Sequence, residues 1–186
     1  MIGYALCGSF CTFKESVEEL KTLKDKYGEI IPIMSFNAYY TDTRFGKYTE
    51  WNEKIENICQ RRIINTILDA EPLGPNISLD ALIISPCTGN TLAKLANGIT
   101  DTPVCMAAKA HLRSDRPLII ALASNDAMSA NLGNIAKLLS RKNIYFVPMR
   151  QDEPIKKPHS LVADFSLLQG TLDDALSGKQ IRKIFL

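Results

Sequence analysis

The sequence predicts a three-layer α/β fold in which helices cover both faces of a doubly wound parallel sheet. Three observations carry that expectation. Four short apolar runs, Ile2–Cys7, Ile30–Phe36, Ala81–Ser85 and Leu118–Ala123, are near-continuous rather than alternating, as strands buried on both faces are. Segments with apolar residues at helical spacing lie between them. The repeated strand–helix order implies right-handed crossovers and parallel neighbours. The arrangement expected is Rossmann-like, of the flavodoxin-like kind.

The elements follow in order. After the first run, Phe13, Val17, Leu20, Leu23 and Tyr27 step along one helical face, and Thr12 with Glu15 has the pattern of a capping box. The second run opens into a long polar loop, Asn37–Thr49. Residues 61–79 fit either a short strand or a helix before the Pro72/Gly74/Pro75 turn. After the third run, Asn90 is a good N-cap for a helix carrying Leu92, Leu95, Ala96 and Ile99, and Gly98 stands where a helix-ending glycine belongs. Thr102-Pro103 reads as N-cap and first residue of another helix. Leu132, Ile135, Ala136 and Leu139 make the next helical face, and Ile144–Pro148 is a weaker fifth strand. A second long loop, Met149–His159, precedes an amphipathic stretch from about Ser160 to Leu176. The whole reads as one domain, 1–186, with 149–178 serving as a lid or a partner contact.

Composition narrows the function. A net charge of +2, with no Lys/Arg run longer than a pair, gives no electrostatic footprint for nucleic acid. No stretch approaches the roughly 18 apolar residues that span a bilayer. The first residues run straight into a strand rather than through a basic and then apolar leader, so a cytoplasmic location is expected. Five scattered cysteines and only His111 and His159 make neither a disulfide framework nor a zinc site, and no metal is expected.

In an open α/β sheet, ligands bind beyond the carboxyl ends of the strands. There the sequence places Gly8-Ser9-Phe10-Cys11-Thr12, then Ser35, then Ser85-Pro86-Cys87-Thr88-Gly89-Asn90-Thr91, then Ser124-Asn125-Asp126. Gly8 allows close backbone approach, and hydroxyl and amide groups precede helix starts that favour anions. Neither GxGxxG nor a Walker A sequence is present, which removes the main support for dinucleotide and P-loop readings. Each loop alone is also an ordinary capped turn. Several with matching chemistry point to one phosphorylated ligand shared between them.

The stretch Ser85-Pro-Cys-Thr-Gly-Asn-Thr-Leu-Ala-Lys-Leu-Ala-Asn-Gly-Ile-Thr-Asp-Thr-Pro103 resembles the central signature of the homo-oligomeric flavin-containing cysteine decarboxylase superfamily, a family of flavoproteins. Thr43-Arg44-Phe45-Gly46 within Asn37–Trp51, Ala70–Pro75, and Lys142–Pro148 on to Lys156-Lys157-Pro158 resemble one branch of it. Members of that branch are the flavoprotein-like half of a two-component oxidoreductase that aromatises a dihydropyridine dicarboxylate.

That resemblance implies FMN, with Gly8, Ser9 and Ser35 on its phosphate side, Thr88, Asn90 and Thr91 at the ribityl chain and ring, and Asn125 near the isoalloxazine. It implies a trimer-based homo-oligomer whose partner is an A subunit similar to nicotinamide-dependent dehydrogenases. A small planar dicarboxylate substrate needs a forked cation, and Arg44 is the best candidate, ahead of Lys47. The cysteine decarboxylases have an active-site histidine after the second strand, and Asn37–Trp51 contains none. Flavin prenyltransferase has a glutamate where Asn125 or Asp126 stands. The expected activity is therefore oxidoreduction, with the cofactor doing the difficult step. The alternatives are an independent FMN-dependent decarboxylase and a non-catalytic flavin-fold partner subunit.

Overall fold

The computed structural model describes residues 1–186. Its strands are β1 (Ile2–Leu6), β2 (Ile30–Met34), β3 (Ala81–Cys87), β4 (Leu118–Ser124), β5 (Ile144–Phe146), β6 (Met149–Arg150) and β7 (Leu161–Ala163). Its helices are α1 (Phe13–Tyr27), α2 (Phe36–Tyr40), α3 (Tyr48–Cys59), α4 (Ile67–Ala70), α5 (Gly89–Asn97), α6 (Pro103–Leu112), α7 (Leu132–Leu139) and α8 (Leu168–Leu176).

Five strands pair in parallel in the order β2-β1-β3-β4-β5. Side chains alternate across this sheet. Ala5, Ile33, Leu82, Ile84, Ile120 and Leu122 pack with α5, α6 and α7 on one face. Tyr4, Leu6, Met34, Ile83, Ile119 and Ala121 pack with α1, α3 and α8 on the other. Both faces are thus covered, which is why the strand sequences read as unbroken apolar runs. Strand order reverses between β1 and β3. Their following helices, α1 and α5, leave on opposite faces and open a crevice at the strand ends.

Thr102 and Gly98 behave as expected. Thr102 Oγ1 accepts the Cys105 amide at 3.2 Å, and Gly98 ends α5 at φ 71°. Three expectations are corrected. The sheet is mixed: β4 pairs with β5 at its start, but its end, Ala123-Ser124, pairs antiparallel with β7, and β6 joins β7 antiparallel. The stretch from Ser160 is not all helix, because Leu161–Ala163 finds hydrogen-bond partners along the vacant edge of β4; a 3-10 turn over Phe165–Leu167 and then α8 follow. No capping box forms at α1, because a 3-10 turn over Phe10–Thr12 already leads into it and Thr12 Oγ1 donates to the Ser9 carbonyl at 3.0 Å.

The undecided residues 61–79 hold both answers. Ile64 bridges β2, exchanging backbone hydrogen bonds with Pro32 and Met34, and α4 is a single turn. The loop Asn37–Thr49 is shorter than it looked, since α2 and α3 take both of its ends.

Candidate functional site

The crevice is framed by buried polar ties. Tyr4 donates its phenol hydrogen to the Ser16 carbonyl at 2.7 Å, and Ser16 Oγ donates to the Ser85 carbonyl at 2.6 Å. These lock α1 to β3 just behind the strand ends. Thr91 Oγ1 lies 3.3 Å from Cys7 Sγ, tying the first turn of α5 to the end of β1. The cap of α5 is Thr88 rather than Asn90: its hydroxyl accepts the Thr91 amide at 3.2 Å. Asn90 is thereby left exposed at the helix start, free to face outward.

Between these walls lies a cavity of about 650 Å³ lined by Gly8, Ser9, Phe10, Cys11, Arg44, Phe45, Thr88, Gly89, Asn90, Ala123, Ser124, Asn125, Asp126, Asp152, Lys157, Ser160 and Val162. That size falls within the usual range for cofactor pockets. The structure brings Gly8, Ser9, Thr88, Asn90, Asn125 and Arg44 around one space. Ser35 and Thr91 are not part of its lining. Ser35, 8% exposed, caps α2, its hydroxyl accepting the Ala38 amide at 3.4 Å, and Thr91 is 5% exposed. Lys47 is not part of the lining.

Close approach of two loops depends on Gly89. A Cβ there would stand 2.5 Å from Ser124 Oγ, 2.6 Å from Asn131 Nδ2 and 2.7 Å from Asp126 Oδ1. These neighbours come from a segment more than thirty residues away, which no local pattern reveals.

Arg44 is presented from a tight turn. Thr43 and Gly46 exchange backbone hydrogen bonds at 3.1 Å, Asp42 accepts the Tyr48 amide at 3.0 Å, and the guanidinium stacks 4.8 Å over the Phe45 ring. Gly46, at φ 139°, lies against the Trp51 indole, where a Cβ would come within 2.7 Å of Nε1. The other cation of the cavity, Lys157, is held by Asp152 at 3.0 Å, and that carboxylate keeps the ammonium above the usual lysine range. Arg44 makes no ion pair and so has its fork free for an anion.

Thiol chemistry at Cys7 and Cys87 is disfavoured. Burial pushes the Cys7 thiol up to about 12, against an opposing hydrogen bond from Thr91. Burial also pushes Cys87 well above the usual thiol range, with Cys7 and Cys105 adding to it. Both stay protonated and act as small fillers.

A crevice at the reversal of a 2-1-3-4-5 strand order, rimmed by hydroxyls, amides and helix starts, defines an α/β nucleotide-binding class of protein. The chain belongs to the Flavoprotein family, whose model matches residues 2–166. It is 44% identical, over 185 residues covering 100% of this chain and 92% of the relative, to the B subunit of dipicolinate synthase from Bacillus subtilis (strain 168). The crystal structure of the B subunit of dipicolinate synthase from Bacillus halodurans C superposes with a TM-score of 0.91 at 40% identity, covering 100% of this chain and 95% of that one. A dodecameric FMN-dependent UbiX-like decarboxylase from Escherichia coli O157:H7 shares the fold at a TM-score of 0.66 and 22% identity, with 80% of each chain covered. The resemblance carried by Ser85–Pro103 is thus borne out, as is the narrower branch marked by Thr43–Gly46.

Proposed function

We propose that this chain is the flavin-carrying B subunit of a dipicolinate synthase, working with the A subunit to oxidise dihydrodipicolinate to dipicolinate in the mother cell of a spore-forming bacterium. The observation that carries the reading is the convergence of six sequence-flagged residues on one cavity at the strand reversal, in a chain of the Flavoprotein family.

The residues present fit FMN. The Gly8–Ser9 turn is free of carboxylates and suits a phosphate, and Ser35 caps α2 at the neighbouring strand end. Thr88, Asn90 and Asn125 offer hydroxyl and amide groups to a ribityl chain and ring, and Thr91 fixes the helix start that carries two of them. Phe10, Phe45, Ala123 and Val162 supply apolar surface for a flat ring. When bound, a flavin supplies a two-electron acceptor. Arg44 then clamps one carboxylate of the substrate in its fork and sets the dihydropyridine against the ring wall. Residues 149–178 close the far side of the cavity through Asp152, Lys157, Ser160 and Val162 and form the surface offered to the A subunit. We take the assembly to be a homo-oligomer, trimer-based as in the wider superfamily.

The test is reconstitution. The chain is loaded with FMN, mixed anaerobically with the A subunit and an oxidised nicotinamide cofactor as the A subunit's acceptor, then given dihydrodipicolinate while visible flavin absorbance is followed. Bleaching at the rate of dipicolinate formation is the expected result. Dipicolinate formed while the flavin stays oxidised would assign the oxidation to the A subunit. No uptake of FMN would end the cofactor reading.

A further inference from the structure

One wall of the cavity carries an unusual carboxylate. Asp126 Oδ1 accepts two hydrogen bonds, a short one from Ser124 Oγ and one from Asn131 Nδ2 at 3.0 Å, whereas Oδ2 has no protein donor. The side chain is half-buried and lines the cavity. No cation is paired with it. The cations Arg44 and Lys157 and the carboxylate Asp152 line the same space, and Lys157 is already taken by Asp152.

The orientation of the donors on Oδ1 is imposed from the surface inward. Lys137 Nζ can only donate, and it donates to Asn97 Oδ1 at 3.0 Å. Asn97 Nδ2 therefore faces Asn134 Oδ1, at 3.5 Å. Asn134 Nδ2 donates to Asn131 Oδ1 at 2.9 Å, which leaves the Asn131 amide hydrogens for Asp126. Flipping any of these amides would set carbonyl against carbonyl, or carbonyl against carboxylate. A line of three asparagines between α5 and α7 thus occupies one oxygen of Asp126 and leaves the other as a bare acceptor. Gly89 leaves the room that Oδ1 occupies, since a Cβ at that position would stand 2.7 Å from it.

A bare acceptor of this kind repels a phosphate and attracts a donor. We propose that Asp126 Oδ2 accepts a ring N–H of the bound flavin, and so fixes which end of the cofactor lies under the β4–α7 loop. The assignment rests on the flavin reading above and adds to it a specific partner atom. An oxidised isoalloxazine has one ring N–H, at N3; reduction adds N5–H and, in the neutral reduced ring, N1–H. Each matches Oδ2, and the measurement separates N3–H from those that reduction adds.

Asp126→Asn is the informative change. Its amide oxygen keeps the donors Ser124 and Asn131, while its NH2 replaces Oδ2 and sets donor against donor. The apo-protein and this variant are titrated with FMN, with N3-methyl-FMN and, anaerobically, with reduced FMN; circular dichroism checks that the variant folds. The expected result is that the unaltered chain binds the matching form at least about tenfold more tightly than the variant, as for a hydrogen bond to a charged group. If N3–H is the donor, the gap appears with oxidised FMN and closes with the N3-methyl compound. If an N–H added by reduction, at N5 or N1, is the donor, it appears only with reduced FMN. Equal binding by both proteins in both oxidation states would overturn the assignment while leaving the flavin reading intact. Failure of the unaltered chain to take up any flavin would overturn both.

Discussion

The cavity has two unlike walls. One is built from strand ends and helix starts: Gly8, Thr88–Asn90 and Ser124–Asp126. On one side, buried hydrogen bonds through Tyr4, Ser16 and Ser85 tie it to distant parts of the chain, and on the other Asn131 holds Asp126 within the β4–α7 loop. The other wall is Arg44–Phe45 with Asp152 and Lys157, side chains on loops whose hydrogen bonds are mostly to near neighbours. The first wall is welded to the core and the second is laid over it. A pocket divided this way can keep a cofactor in place with one half and vary what it acts on with the other.

The sharpest way to break the contrast is to weaken the core beneath the first wall. Ile84 is fully buried in the middle of β3, and Ile84→Ala should cost about 2–5 kcal/mol, read as a lower urea midpoint. Gly89→Ala strikes the wall itself. It should cost about 1–3 kcal/mol by overpacking and abolish FMN uptake, because the added methyl wedges the β4–α7 loop away from α5. Normal FMN affinity in this variant would show that the two loops need not meet. The second wall should respond the other way. Arg44 is exposed and unpaired, so Arg44→Ala should move stability by no more than about 0.5 kcal/mol. Dipicolinate formation should nonetheless fall about tenfold or more with FMN binding retained. Unchanged turnover would remove Arg44 from the site.

The same contrast describes what could be read from the sequence. Strands β1 to β4 announce themselves because burial on both faces demands unbroken Ile, Leu and Ala. The strand-end residues could then be located by the fold rule alone. The hairpin β6–β7 could not, since strands of two and three residues carry no period, and Leu161-Val162-Ala163 fits a helix face as well as a strand. Asp126 and Gly89 escaped for a related reason. Their importance lies in a contact between segments, and Asp126 in a loop reads like any turn residue. Asn90 reads as the cap because asparagine is a good cap, but threonine is one too, and only the fold shows that Thr88 stands at the helix start.

The division of β4 between two partners reaches further. Its first half is clasped by β5 and its last two residues by a hairpin of minimal strands. So few ladder bonds make that hairpin a natural unit for local opening, while the parallel strands open only with the whole domain. In a deuterium-labelling experiment the amides of 149–150 and 161–163 would fill first and those of β1 and β3 last. A ligand seated across Val162 and Thr88 would bridge a fast-exchanging region and a slow one, and its arrival would register as slowed labelling far out along the hairpin.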